Sequence, residues 1–212
     1  IYAQYCVMRL AREEVKVVLD GQGADEQLGG YIAYLVPYIR TLLGHGEILA
    51  ALREVIGILR LHRSFFWWAL RQVVVRSQRR DLLQGSPPEV LRYAGTLDEV
   101  LKREITVSNL PLLLHWEDRN SMAFSIEARV PFLDYRVVEY LASLPLDQKI
   151  RGGVTKYVLR RAIRGLVPDP VRCRSDKMGF VTPEEVWMRG ELAPRVLELF
   201  SSPEFSGRPY WD

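Results

Sequence analysis

Residues that make disulfides or bind metals are scarce in this chain. Of its 212 residues, two are cysteine (Cys6 and Cys173) and three are histidine (His45, His62 and His115). The cysteines fall in no motif, which excludes a disulfide framework and makes a reduced, cytoplasmic protein the expectation. The histidines lie far apart without metal-ligand spacing, so no residue is assigned to a metal. Long apolar runs are missing too. The most apolar stretch, residues 65–70 with 73–75, is flanked by Arg63 and broken by Arg71, so it is too short and too charged to span a membrane. No signal peptide, repeat or low-complexity segment is visible. The chain does not open on methionine. Ala3, Val7, Leu10 and Ala11 recur at helical spacing, so a helix is already under way near residue 1. This reads as a piece of something longer.

What is present is ordinary globular composition, 48% hydrophobic and 26% charged, in a chain long enough for one domain with a sizeable core. The net charge of +3 suits an anionic ligand without demanding nucleic acid.

Residues 17–31, VVLDGQGADEQLGGY, are the most informative segment. Val17, Val18 and Leu19 form a short β-rich run, long enough for one buried strand within residues 16–20. Asp20 ends it. Gly21 and Gly23 then permit φ values closed to other residues and let a ligand approach the backbone. Asp25 and Glu26 sit where a helix should begin, where acids are favoured. Such a strand, turn and helix start either forms a plain turn or marks the carboxyl-end position where α/β sheets bind ligands. Asp20, Asp25 and Glu26 lie close together, so their burial would require a cation or basic partner.

The remainder reads as mostly helical. A helix spans residues 2–14. Residues 31–84 carry no strand alternation and are interrupted at Pro37 and at Gly44-His45-Gly46. Within 53–80, seven arginines face Glu54 as the only acid, with Phe65, Phe66, Trp67 and Trp68 interleaved. This pattern fits a solvated helix face with its aromatics in the core, or a basic surface for nucleic acid, lipid or a partner. Residues 84–88 read as a loop. A helix over 109–125 is capped by Ser108 or Asn109, with Pro111 in its first turn. Asp134 caps the next helix, with Leu133 and Val138 placed as a staple, and Pro145 stops it. Gly152-Gly153 makes a turn. A helix over 155–166 presents Leu159, Ile163 and Leu166 on one face, and Pro168 stops it. Thr182-Pro183-Glu184-Glu185 reads as a capping box. The last ten residues are expected to fray. One strand cannot make a sheet, so the rest of the sheet is expected from residues outside the chain.

Two further constellations carry charge into unusual places. Glu127 and Arg129 enter an apolar segment, and buried charges must be paired. Glu127 pairs with Arg119 or Arg129, or else an arginine holds a substrate carboxylate. Lys156, in the first turn of the 155–166 helix, opposes the positive end of the helix dipole. That makes sense if an anion lies between them; a solvated lysine is the plainer reading.

Four strings together resemble the glutamine-hydrolysing asparagine synthetase family: residues 17–31, EDRNSMAFSIEARVPFLD (117–134), TKYVLR (155–160) and DKMGFVTP (176–183). They occur in family order, and the likeness is weakest over 32–105. The family's pattern at 17–31 is commonly L-S-G-(D/E/Q)-G-x-D-E-x-x-x-G-Y. Here Asp20 stands for Ser and Gln22 for the common Glu. The resemblance implies an α/β fold of the adenine nucleotide alpha hydrolase-like, ATP-pyrophosphatase type, of which residues 1–212 are the predominantly α-helical C-terminal portion with one or few parallel strands. The family's N-terminal glutaminase domain and its Ser-Gly-Gly-x-Asp-Ser phosphate loop do not appear in the sequence.

The reaction so implied uses ATP and Mg2+ to convert aspartate to a β-aspartyl-adenylate, which ammonia from glutamine then attacks. By resemblance, Asp20, Gly21 and Gly23 contact the nucleotide, and Gln22 stands at the acid implicated in adenylate formation, although an amide cannot act as a base. Asp25 positions metal, pyrophosphate or substrate, and Lys156 stabilises the leaving pyrophosphate. Glu127, Arg129 and Glu26 shape the substrate side. Two other functions are compatible with the sequence: a related amidotransferase or cyclase acting on another carboxylate (a surface-polysaccharide precursor, a β-lactam or a peptide), and a non-catalytic module binding through the Arg-rich 53–80 face. Neither membrane nor nucleic-acid binding is expected of the synthetase.

Overall fold

The structure is a computed structural model that describes residues 1–64, 67, 95–175 and 182–208. Most of the Arg-rich 53–80 segment, the 84–88 loop and residues 176–181 of the last family string lie outside the described residues. Helix α1 (Tyr2–Ala11) leads into strand β1 (Val17–Leu19), the glycine turn and the single-turn helix α2 (Ala24–Gln27). After a 3-10 turn at Ile32–Tyr34 come α3 (Leu35–Gly44) and α4 (Ile48–Leu61), then α5 (Leu97–Thr106) and α6 (Asn109–Met122). Strand β2 (Glu127–Arg129), a 3-10 turn at Pro131–Leu133, α7 (Tyr135–Ser143) and α8 (Leu146–Lys149) follow. A small hairpin, β3 (Ile150–Arg151) and β4 (Val154–Thr155), feeds α9 (Tyr157–Ala162); α10 (Asp169–Arg172), α11 (Glu184–Arg189), α12 (Ala193–Phe200) and α13 (Pro203–Ser206) complete the chain.

The described residues are mostly helical with two short sheets, consistent with an α/β protein. The missing partner of β1 is within the chain after all. β2 pairs with it in parallel, Val17 opposite Glu127 and Leu19 opposite Arg129. Alternating charged and small residues at 127–129 hid this strand among helix-end signals. Nor is β1 buried: Val17 is 41% and Leu19 74% exposed, since among the described residues its sheet has two strands, each with one side unpaired.

The core lies where α3, α4 and α5 meet β3. Tyr34, Leu35, Tyr38, Leu42, Ala51, Ile58, Leu97, Val100, Leu101 and Ile150 form it. Each large apolar side chain removed from water here contributes about 1.5–3 kcal/mol. Pro37 does not interrupt the helix as expected. It falls in the first turn of α3, where a missing N–H costs nothing. Gly44-His45-Gly46 does separate α3 from α4. Thr41 links this layer to α5: its hydroxyl donates to Pro37 O and accepts the N–H of Leu97, each at 2.8 Å.

Capping departs from expectation at several ends. Thr96 and Glu99 form a reciprocal capping box on α5. The box expected at Thr182–Glu185 is absent, and Pro183 is the N-cap of α11 with no side-chain cap bond. Neither Ser108 nor Asn109 caps α6; Ser108 Oγ turns back to Arg103 O and Glu104, and Asn109 to Glu26. Asp134 does cap α7, accepting from the N–H of Arg136 at 3.0 Å. Near the C-terminus, Ser202 caps the short α13, so residues 203–206 are helical where fraying was expected, and residues 209–212 lie outside the described residues. Among the described residues no helix is long and apolar enough to cross a membrane.

One contact couples the helical core to the β3–β4 hairpin. Gly57 of α4 lies flat against Gly152, so a Cβ at Gly57 would overlap the Gly152 carbonyl group. A glycine inside a helix ordinarily costs about 1 kcal/mol relative to alanine. Here Gly57→Ala should therefore destabilise, by about 1–3 kcal/mol, the scale of overpacking against backbone that cannot yield. Urea unfolding with an unchanged slope and a lower midpoint is the expected result; a raised midpoint would mean that the two backbones do not touch.

Candidate functional site

Because β1 and β2 run parallel, their carboxyl ends share one edge. The N–H of Asp20 donates to Arg129 O at 2.8 Å, extending the ladder into the turn. Asp20 Oδ1 then accepts the N–H of Gln22 at 3.1 Å, a side-chain-closed turn. Gly23 has φ +88°, and a Cβ there would overlap Leu133. Gly21 differs from expectation: its φ is not positive and open space surrounds its Cα, so it offers access rather than conformational freedom.

The acids at the start of α2 part company. Glu26 is 1% exposed and accepts hydrogen bonds from Tyr31 Oη and Asn109 Nδ2, both at 2.7 Å. Burial first, and then the Glu26 carboxylate, raise the pKa of the Tyr31 hydroxyl. Glu26 is thus held between α2, Tyr31 and α6, and it is not among the residues lining the cleft described next. Asp25 lines that cleft and forms an ion pair with Lys156, Oδ1 to Nζ 2.9 Å.

Lys156 reaches Asp25 through an unusual backbone. It is the N-cap of α9 rather than a first-turn residue, in the left-handed region at φ +53°. Its N–H donates to Leu28 O at 3.3 Å, which ties it to the end of the glycine motif. The anion expected near this lysine is therefore supplied by the chain itself. The hairpin that delivers Lys156 is fixed by Glu54, which is 0% exposed and accepts the N–H groups of Gly152 and Gly153 at 2.9 and 2.8 Å. His62 Nε2 lies 3.1 Å from Gly153 O on the same turn.

The resulting cleft has a volume of about 330 Å³ and, among the described residues, carries Lys156, Arg160, Arg172 and Arg174 against the single acid Asp25. Arg160 is partly engaged by the fold: it donates to Thr155 O at 2.8 Å and to Arg172 O at 2.5 Å. Burial lowers its pKa. Among the described residues no group of three or more metal-ligating side chains occurs.

Glu127 and Arg129 pair with each other at 2.8 Å, not with Arg119, and both are 61% exposed. The expected burial of these charges is wrong, because they occupy the outward positions of the edge strand β2. Arg129, opposite Leu19, lies at the carboxyl end beside Asp20, and Glu127, opposite Val17, at the other end of the strand pair. The structure thus brings Asp25 and Lys156 together in one cleft, sets Asp20, Gly21, Gln22 and Gly23 in the adjoining turn, and leaves Glu127 and Arg129 on the exposed strand.

Sequence reasoning missed Glu54 and Glu117. The signal for Glu117 was available: Leu110, Glu117, Asn120 and Ser121 form the buried stripe of α6, polar where a core stripe is normally apolar. Glu117 is 3% exposed, accepts from Gln4 Nε2, and meets the side chains of Asp20 and Gln22.

The glycine turn ends a parallel strand, the position at which α/β sheets commonly bind ligands, and Asp25 and Gly30 of the same motif line a cleft rich in cations. The family model for asparagine synthase matches residues 1–212, and the chain belongs to that family. Two curated relatives come from Bacillus subtilis. Asparagine synthetase [glutamine-hydrolyzing] 1 is 29% identical over 230 residues, covering 94% of this chain and 36% of that protein. Asparagine synthetase [glutamine-hydrolyzing] 3 is 44% identical over 177 residues, covering 78% of this chain and 26% of that protein. The chain spans about a third or less of the length of these relatives. No solved structure matches it.

Gly30 packs so closely that a Cβ there would overlap Asp25 Oδ1 and crowd Lys156 Cε. Gly30→Ala should therefore open the Lys156–Asp25 pair past salt-bridge distance, while the fold survives because flexible side-chain ends can move. A crystal structure of the variant reads the separation. An Nζ–Oδ1 distance still near 2.9 Å would show that Gly30 does not shape the pair.

Proposed function

We propose that this chain is the C-terminal portion of the synthetase domain of a glutamine-hydrolysing asparagine synthetase, of ATP-pyrophosphatase type. Its substrates are ATP, aspartate, and ammonia released from glutamine by a glutaminase domain. The activity forms asparagine, AMP and pyrophosphate in the cytoplasm. The observation that carries this reading is the Lys156–Asp25 pair, with Lys156 delivered into the cleft beside the glycine turn. Family membership supports it independently.

The residues fit the substrates. A triphosphate is a polyanion, and the cleft presents four cationic side chains. Magnesium is commonly bound by one or two carboxylates together with substrate phosphates. Among the described residues Asp25 is the carboxylate that lines the cleft, and bound magnesium would neutralise phosphate charge there. The backbone of Asp20, Gly21 and Gly23 borders the nucleotide, with open space at Gly21 giving access. Lys156 holds a fixed positive charge toward the leaving phosphates, where charge develops in the transition state. Asp25 keeps the ammonium group from folding away. Glu127 and Arg129, and Glu26 through Tyr31 and Asn109, shape the aspartate side. Gln22 is neutral, so it can orient a substrate group by hydrogen bonding but cannot take a proton.

In the full-length protein, Lys156→Ala should slow pyrophosphate release with saturating ATP and aspartate by ~10²–10³, while ATP affinity changes little. Lys156→Arg should rescue poorly, because a planar fork does not replace a compact ammonium. A rate within a few-fold of wild type would make Lys156 a structural lysine.

The 212-residue chain by itself contains no Ser-Gly-Gly-x-Asp-Ser loop. It should form no asparagine from aspartate, ATP and ammonia. Turnover by the purified chain, with contaminating synthetase excluded, would overturn the division of labour proposed here.

A further inference from the structure

Among the described residues, two that are not glycine have positive φ: Ser125 and Lys156. Ser125 needs no special device. It follows the C-terminal end of α6, and the N–H of Ile126 closes on Ser121 O at 3.0 Å, a common way for a helix to end. Lys156 stands at a helix start, where the N-cap residue is ordinarily extended. A left-handed residue with a side chain persists there only when its surroundings over-determine it.

The two peptide groups beside its Cα show what does so. The one before it is held at both polar ends. The Lys156 N–H donates to Leu28 O at 3.3 Å, and Thr155 O accepts from Arg160 Nε at 2.8 Å. The one after it is held through Lys156 O, which accepts the backbone N–H of Arg160 at 3.0 Å. Both carbonyls that flank the Lys156 Cα are therefore bound by one residue, Arg160. Peptide groups are planar, so fixing two in succession fixes φ and ψ of the residue between them. The Arg160 side chain is itself braced. Its Nη1 donates to Arg172 O at 2.5 Å, in the last turn of α10, and Arg172 is tied within that helix to Asp169 at 2.7 Å. Thr155 is buried, so without the guanidinium its carbonyl would lose a donor where water has little access.

We propose that Arg160 is a positioning residue for Lys156: together with the Leu28 bond, its hold on the Thr155 carbonyl keeps Lys156 left-handed and so aims the ammonium group at Asp25 and the leaving phosphates. This rests on the asparagine synthetase reading above. Arg160 then does two separable things. Its charge is one of the four that line the cleft among the described residues, which acts on ATP binding. Its Nε donor sets where Lys156 stands, which acts on the rate of the chemical step.

Two substitutions separate these effects. Glutamine carries an amide nitrogen as many bonds from Cα as Arg160 Nε. Arg160→Gln therefore keeps a donor for Thr155 O while removing the charge and the reach to Arg172. Arg160→Met removes the charge and both donors at similar length. Alanine is unsuitable, because Arg160 also lines a neighbouring cavity of about 270 Å³ and truncation would enlarge both spaces.

The readout is pyrophosphate release by the full-length protein. Both variants should raise the KM for ATP. At saturating ATP and aspartate, Arg160→Met should be slowed by roughly 10²-fold, the scale of misplacing a catalytic group by about 1 Å, and Arg160→Gln should recover most of that loss. Arg160→Gln as slow as Arg160→Met would mean that the charge carries the effect, and overturns the proposal. An Arg160→Met rate within a few-fold of wild type overturns it too. Should Arg160→Met fail to fold, Arg160→Gln decides alone, and a rate as low as that of Lys156→Ala overturns the proposal.

A double substitution excludes a general loosening of the fold. Because Arg160 acts through Lys156, adding Arg160→Met to Lys156→Ala should cost no further rate. A further loss as large as in the single variant overturns the proposal.

The last readout needs no substrate. In a crystal structure of full-length Arg160→Met, Lys156 should leave the left-handed region or its Nζ should move past salt-bridge distance from Asp25. Lys156 still at φ +53° with the 2.9 Å pair intact overturns the role given to Arg160. If that movement occurs and yet Lys156→Ala leaves pyrophosphate release untouched, it is the underlying functional reading that fails.

Discussion

The contact between Lys156 and Asp25 is where two distant parts of the chain become one site. Energetically it cannot hold itself. Both side chains are about a quarter exposed, and an ion pair in such a position contributes roughly 0–1 kcal/mol. A non-glycine residue in the left-handed region costs about 1–2 kcal/mol, so the pair by itself would not keep Lys156 at φ +53°. The geometry must come from behind. Glu54 grips both amides of the Gly152–Gly153 turn, Gly57 lets that turn lie against α4, and Leu28 O accepts the Lys156 N–H. A cation held by the scaffold, at a cost its own ion pair does not cover, is what pre-organised electrostatics requires.

The same economy explains the glycines. Gly30 is small because Asp25 and Lys156 meet over it, and Gly23 because Leu133 presses on the turn. Gly21, beside them in sequence, is restrained by nothing. The four glycines of the motif thus divide into three, Gly23, Gly29 and Gly30, that make room for protein and one, Gly21, that borders open space.

Local features were legible in the sequence because their causes are local. The strand–turn–helix at 17–27, the break at 44–46, the Asp134 cap and the Gly152-Gly153 turn all follow from a few adjacent residues. The second strand was not legible, since Glu127 and Arg129 at its outward positions read as charges in need of burial rather than as an edge strand. The left-handed Lys156 was hidden for another reason: the partners that impose it, Leu28 and Glu54, lie about a hundred residues or more away in sequence. Of the site, the resemblance gives Asp25 and Lys156 roles at the pyrophosphate, but nothing local in the sequence announces their ion pair. The anion near the lysine was expected to come from a ligand, and the chain supplies it.

Glu26 and Glu117 show why residue identity alone could not sort the acids of the motif. Glu26 adjoins the glycine turn in sequence, yet a tyrosine and an asparagine fully engage it. Glu117 lies about a hundred residues away, yet it reaches the turn itself. What distinguishes them is the neighbour: Tyr31 and Asn109 donate to Glu26, whereas one buried oxygen of Glu117 has no donor. Of the four buried glutamates, Glu26, Glu54, Glu104 and Glu117, it is Glu117 whose oxygen lacks a donor and whose side chain meets Asp20 and Gln22 where β1 ends.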